Sequence, residues 1–190
     1  LWDGDIPWCT PTDITALGTR KYLSRTSRTI TDLGLVTSSA ELIPAGSIVM
    51  TSRATIGECA INTVPVTTNQ GFKNFVPTNG VDAEFLYYLL QTQRSGFISL
   101  CGGSTFLEIG KGQLVRYEAV IPPTLAEQTA IATFLSDLDA ELAALMDRAG
   151  GFGGAVTAYP TGKRELFKEF LQPLFTLNLR LSTGFAPSFT

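Results

Sequence analysis

The chain has 190 residues, 44% of them apolar, and a formal net charge of −3. That is enough for one domain with a core plus an appendage, in the composition of an ordinary globular protein. It has no histidine, which excludes His-based triads, His-ligated metals and the usual general base, and no apolar run is long enough to cross a bilayer.

Three widely spaced cysteines, Cys9, Cys59 and Cys101, offer neither a disulfide rhythm nor a C-x-x-C metal site, and point to a reducing, cytoplasmic setting. The opening at Leu1-Trp2-Asp3 carries no secretory signal and reads as the start of a fragment. The acidity is not uniform. Residues 1–80 hold six basic and six acidic side chains, whereas residues 123–149 hold one basic and five acidic. The negative charge therefore gathers in one helix near the C-terminal third, and the first part of the chain is neutral.

In chain order, the first 80 residues read as short strands and loops. Apolar or alternating runs at Ser47–Thr51, Ile56–Ile61 and Phe72–Val76 are separated by Pro44-Ala45-Gly46 and Thr78-Asn79-Gly80. Asp82 suits a helix N-cap, and Phe85, Leu86, Leu89, Leu90 and Phe97 mark one helical face. Gly102-Gly103 opens a loop, and Leu114 to Ile121 reads as a returning strand. Pro122-Pro123 is a stop. Thr124 and Glu127 then form the pattern of a capping box. The seam Ile131, Leu135, Leu138, Leu142, Leu145 steps by four and three, which fits either a partial coiled coil or one amphipathic helix packed on its own domain. Glycines at 150, 151, 153 and 154 should end that helix. Beyond them, Lys163–Leu171 suggests a short helix and Phe175–Leu181 alternates like a strand. The resulting division is a domain at 1–122, a helix at 123–149 and an atypical tail at 150–190.

Catalytic patterns fail one by one. Gly150–Gly154 follows a helix, not a strand, so it suits a helix end better than a methyl-donor site. Gly162-Lys163 is followed by Arg164, and Thr157 stands where a P-loop needs its first glycine. No lysine is preceded two residues earlier by an acid, as a metal-dependent nuclease would commonly require. The pairs Asp3/Asp5 and Asp137/Asp139 suit exposed turn and helix positions.

Polar clusters remain, and they suit nucleic acid. The segment Arg20–Thr29 carries Lys21, Arg25 and Arg28 among hydroxyls, a pattern for phosphate contact or for a solvated loop. Arg53, in Thr51-Ser52-Arg53-Ala54-Thr55, could grip guanine or phosphate, or pair with an internal carboxylate. Gln70 stands in an amide-rich turn in which Asn69 is better assigned to local backbone groups. Ser104, Thr105 and Lys111 form a third polar loop.

These segments, taken in order, resemble the target recognition domains of type I restriction-modification specificity subunits. The matching stretches are Trp2–Trp8 with Thr10–Ile14, Ser38-Ser39-Ala40 with Leu42-Ile43-Pro44, Thr51–Gly57, Thr68–Phe72, Phe85–Leu90 and Gly103–Phe106. Ile121-Pro122-Pro123 with Glu127-Gln128 matches the entry to that family's spacer helix. The chain departs from the pattern in lacking a segment before Trp2 and in the glycines after Met146. The resemblance implies an α+β recognition domain with short mixed strands, a packed helix and a partial coiled-coil spacer. It implies sequence-specific binding of double-stranded DNA without catalysis by this chain. Methyltransferase and restriction-translocase subunits would be the partners, holding S-adenosylmethionine, Mg and ATP. Lys21, Arg25, Arg28, Arg53, Gln70, Ser104, Thr105 and Lys111 are then the DNA candidates, and the seam from Ile131 to Leu145 the candidate for partner or homodimer contact. A docking module that reads no DNA is the alternative, with the acidic helix as its contact.

Overall fold

A computed structural model describes residues 1–101 and 107–149. The fold is α+β. It begins with β1 (Trp2–Cys9), α1 (Pro11–Ala16), β2 (Tyr22–Leu23), β3 (Arg28–Ile30) and α2 (Asp32–Val36). β4 (Ile48–Thr51), β5 (Cys59–Asn62), β6 (Thr67–Thr68) and β7 (Phe72–Phe75) follow. Helices close the chain: α3 (Ala83–Thr92), α4 (Arg94–Leu100), α5 (Lys111–Leu114) and α6 (Leu125–Ala149).

The strands form two mixed sheets. One has the order β3-β1-β6, the other β2-β5-β4-β7. β4 is central and completely buried, and it pairs antiparallel with β5 and β7. This is why Ile48-Val49-Met50-Thr51 can be nearly continuous in apolar character: both of its faces are covered. One face meets Phe85, Tyr88, Leu89 and Phe97, and the other meets Cys9, Leu23, Ile43 and Val66. Each such fully buried large side chain contributes about 1.5–3 kcal/mol.

The strands at Ser47–Thr51 and Phe72–Val76 are present within a residue or two, while the one expected from Ile56 begins at Cys59. Residues 52–57 are instead a loop laced to Thr51, whose hydroxyl donates to the Thr55 carbonyl at 2.6 Å and accepts from Glu58 N–H at 3.0 Å. The helix from Asp82 is present, and the Asp82 carboxylate accepts from Phe85 N–H at 2.9 Å. It breaks at Gln93 into α3 and α4. There Thr92 donates back to the Leu89 carbonyl at 2.7 Å, and Tyr117 donates to the Gln93 side chain at 2.7 Å.

The strand expected at Leu114–Ile121 does not form. Residues 111–114 make the helical turn α5, and residues 115–121 run without a strand partner. Leu114 is buried but Val115 and Val120 are exposed, so that stretch has no continuous apolar face to lay on a sheet. Tyr117 alone anchors its middle, 5.0 Å from the Phe97 ring. The expected helix and strand beyond residue 150 lie outside the described residues.

Thr124 caps helix α6 as expected, accepting from Glu127 N–H at 3.2 Å, which is one half of the capping box. Its first half packs on α3, burying Ala132 and Leu135. Gln128 is buried at this origin. Its amide donates to the carbonyls of Gly80 and Pro122, both at 3.0 Å, and accepts from Asp82 N–H at 2.9 Å. The two readings of the seam thus divide along its length. Ile131 and Leu135 face their own domain, Leu138 and Leu142 are half-buried, and Leu145 is 55% exposed.

Candidate nucleic-acid interface

Arg53 sits at the rim of the four-stranded sheet. Its backbone bridges Glu108, and Ile109 N–H donates to the Ser52 carbonyl at 3.0 Å, so residues 107–109 lie alongside the loop after β4. This brings α5, with Lys111 at its first turn, to the same edge. On the other side, Ser52 N–H donates to the Gly71 carbonyl at 2.8 Å. The Arg53 side chain runs over Gly71: a Cβ there would fall 2.9 Å from Arg53 Nε. Glycine is therefore needed at 71 for the guanidinium to lie where it does. Ala54 holds φ at 61°, unusual for a residue with a Cβ, and such conformations persist only where the surroundings enforce them. Here the Thr51 hydroxyl does so from below, and Arg94 Nε, bonded to the Ile56 carbonyl at 2.8 Å, does so from α4.

Asn69 behaves as a turn residue. Its Oδ1 accepts from Gly71 N–H at 2.9 Å, which leaves Gln70 exposed at the tip. Gln70, Arg53 and Lys111 thus share one edge. Ser104 and Thr105 lie outside the described residues.

A fourth group joins this edge. Lys73, on β7, donates to Ser52 Oγ at 3.3 Å and to its neighbour's carbonyl at 3.2 Å. Burial pushes its ammonium below the ordinary lysine value. The Glu108 carboxylate works the other way, and the positive Arg53 and Lys111 add to the depression. Two further cations and one carboxylate thus act on Lys73 across this edge.

The other candidates lie elsewhere. Arg25 and Arg28 are exposed on the segment around β3. Arg28 stacks on Trp2, 3.7 Å from ring centre to guanidinium carbon, and Trp2 meets Trp8 edge-on at 5.6 Å. The register aligns Arg28, Trp8 and Thr67 in one row across β3-β1-β6. Asp13 fixes the approach to this row: its carboxylate accepts from Ser27 N–H at 2.7 Å and from Thr10 N–H and Oγ1 at 2.8 and 2.6 Å. Burial pushes that carboxyl up, but the bonds from Thr10 and Ser27 together outweigh it and hold it below the usual carboxylate value. Lys21 is turned inward. It forms an ion pair with Glu84 at the start of α3 and donates to Ser136 Oγ of α6 at 2.6 Å.

Against known proteins, residues 1–148 match the model of the family described as the type I restriction modification DNA specificity domain. The chain belongs to this family. It is 45% identical over 140 residues to the type I restriction enzyme MjaIX specificity subunit of Methanocaldococcus jannaschii, covering 73% of the chain and 32% of the relative. It is 27% identical over 146 residues to the EcoR124I/EcoR124II specificity subunit of Escherichia coli, covering 73% and 35%. The chain thus spans about a third of the length of these curated relatives. In fold it is similar to a chain from a structural work on assembly and conformational transition of the type I R-M system (TM-score 0.61, 20% identity, 93% of this chain and 40% of that one). It is also similar to the HsdS subunit from Thermoanaerobacter tengcongensis (TM-score 0.51, 17% identity, 93% and 38%).

Within this specificity domain, sequence reading missed Lys73 and Asp13. Lys73 lies in an apolar or alternating run that reads as a strand, and its half-burial in β7 sets it apart from its buried neighbours. Asp13 had a legible signal: Thr10-Pro11-Thr12-Asp13 is a helix start with proline in the first turn and an acid at the third position. Among the described residues no group of His, Cys, Asp and Glu is placed to hold a metal ion, and no helix is long and apolar enough to cross a membrane.

Proposed function

We propose that this specificity domain reads double-stranded DNA, with the edge formed by Arg53, Gln70, Lys73 and Lys111 as its principal contact. The observation that carries the proposal is the convergence of three cations and an exposed amide from three separate stretches of chain on one edge. Family membership supplies the context. Guanidinium and amide groups are the ones that read guanine and adenine edges in the major groove, and lysines hold phosphates. Arg28, on β3 of the other sheet, and Arg25, in the loop before it, extend the contact to the backbone. In this reading the chain performs no chemistry. It directs methyltransferase and restriction subunits, which hold S-adenosylmethionine, Mg and ATP, while α6 offers its open half to them or to a second copy.

The test is binding of the full chain to a random duplex pool over a range of salt, with sequencing of the bound fraction. An enriched sequence, and affinity falling with a log–log slope of about −0.9 per phosphate contacted, is the expected result. Unselective recovery at every salt concentration overturns it. The docking-module alternative has its own observation: Phe134 and Leu145 on α6 are 58% and 55% exposed. Tight binding to a methyltransferase subunit with no duplex preference is the outcome that favours it.

A further inference from the structure

Lys21 stands in the most basic stretch of the sequence, yet its side chain is only 16% exposed. Its surroundings come from three elements. Glu84 of α3 pairs with it, Ser136 of α6 accepts from it at 2.6 Å, and the rings of Tyr22 and Tyr88 lie 5.2 and 5.3 Å away. The partners are themselves linked: Ser136 donates to Glu84 at 3.2 Å, Tyr22 donates to the same carboxylate, and Tyr88 donates to Asp139 at 3.0 Å. The Lys21 carbonyl meanwhile accepts from Ile61 N–H at 2.8 Å, pinning the backbone to β5. A cleft of about 530 Å³ opens beside this network, between α6 and the domain.

We propose that Lys21 is a positioning residue that locks the Arg25–Arg28 segment and α6 into one rigid frame, and that it makes no phosphate contact. The binding arm of this inference rests on the DNA reading above. The lock joins the segment that presents Arg25 and Arg28 to the helix that leads away from the domain. Its loss uncouples α6 from the segment, whose Ser27 and Arg28 stay tied to Asp13 and β1, so the cations that remain intact are no longer held at a fixed angle to the helix.

A phosphate ligand and a lock respond oppositely to loss of Glu84. If Lys21 touched phosphate, Glu84→Gln would free it and leave binding equal or tighter. If Lys21 is a lock, Glu84→Gln weakens binding as Lys21→Met does. The experiment uses the full chain, a duplex recovered from the random pool, and the variants Lys21→Met, Glu84→Gln, their combination, Lys21→Arg and Arg25→Gln. Lys21→Met and Glu84→Gln are each expected to weaken binding several-fold with an unchanged salt slope. The combination should be no worse than either alone, since both act on one contact, and Lys21→Arg should restore most of the loss. Arg25→Gln serves as comparator and should reduce the slope by about 0.9. A slope reduced to that extent by Lys21→Met, with binding undiminished by Glu84→Gln, overturns the proposal.

Amide exchange on the free chain gives a readout independent of DNA. Residues 21–23 and the first half of α6 should exchange faster in Lys21→Met and Glu84→Gln but not in Arg25→Gln. Unchanged exchange in both lock variants also overturns the proposal. If every variant, the comparator included, leaves the slope untouched, it is the DNA reading that fails, and the exchange result alone decides the lock.

Discussion

Two groups of cations in this domain obey opposite rules. At the edge of the four-stranded sheet, Lys73 feels the positive Arg53 and Lys111, with Glu108 as the opposing charge. At the root of α6, Lys21 is matched by Glu84 and wrapped by hydroxyls and aromatic rings. In the first group cations crowd one another at Lys73, whereas in the second a cation is matched inside the protein. A basic run in sequence therefore says little about where charge is available. That is decided by carboxylates far along the chain, here one that lies 63 residues from Lys21.

The largest effect that would sharpen this contrast is on stability. Leu135 is 3% exposed and joins α6 to the domain. Leu135→Ala should cost about 2–5 kcal/mol by loss of burial and the cavity left behind, read as a lower denaturant midpoint, while Leu145→Ala at the open end should cost far less. Equal losses would mean that the two halves of α6 do not differ as described.

Next in size is Asp13. Its carboxyl sits below the usual value in the folded chain, so the stability it provides is complete above the unfolded carboxylate range and is lost as pH falls through its folded value. Asp13→Asn should cost about 1.5–3 kcal/mol at neutral pH, the range for hydrogen bonds to a charged group. It should also flatten the fall in stability on acidification. Thermal melts at several pH values check both.

Gly71→Ala probes the open edge. The new methyl would strike Arg53 Nε and Asn69 Oδ1, at 2.9 and 3.0 Å. DNA affinity should fall about tenfold, within the 1–3 kcal/mol of one well-placed base contact, with a smaller change in unfolding free energy. A change in stability alone would separate Arg53 from DNA.

The smallest effect is on pH dependence. Because the Lys73 ammonium is held below the ordinary lysine value, raising the pH should remove its charge before that value is reached. Affinity should decline with that loss of charge, and Lys73→Arg should abolish the decline. A profile identical in Lys73→Arg and the parent chain would remove Lys73 from the contact.

Local signals were legible in the sequence. Asp82 and Thr124 cap their helices because a cap is decided within four residues. The runs around Val49 and Phe72 became strands because burial on a sheet leaves a pattern in composition. Leu114–Ile121 misled because a short, mostly apolar stretch does not say whether a sheet edge awaits it. The inward turn of Lys21 was invisible for a related reason: nothing near residue 21 announces Glu84 or Ser136. Arg53 left three readings open in sequence. In the structure no hydrogen bond or ion pair engages its guanidinium among the described residues, which is why it remains the first candidate for a ligand.

Gln128 sets a mechanical condition on all of this. Its single amide ties two carbonyls and one N–H from separate loops to the first turns of α6, so the 25-residue helix leaves the domain like a beam built into a wall. At 1.5 Å per residue the beam is roughly 37 Å long, and a tilt of about ten degrees at its root would sweep the far tip through roughly 6 Å. Ångström-scale repacking around one side chain is thereby geared up into a displacement several times larger at the far tip.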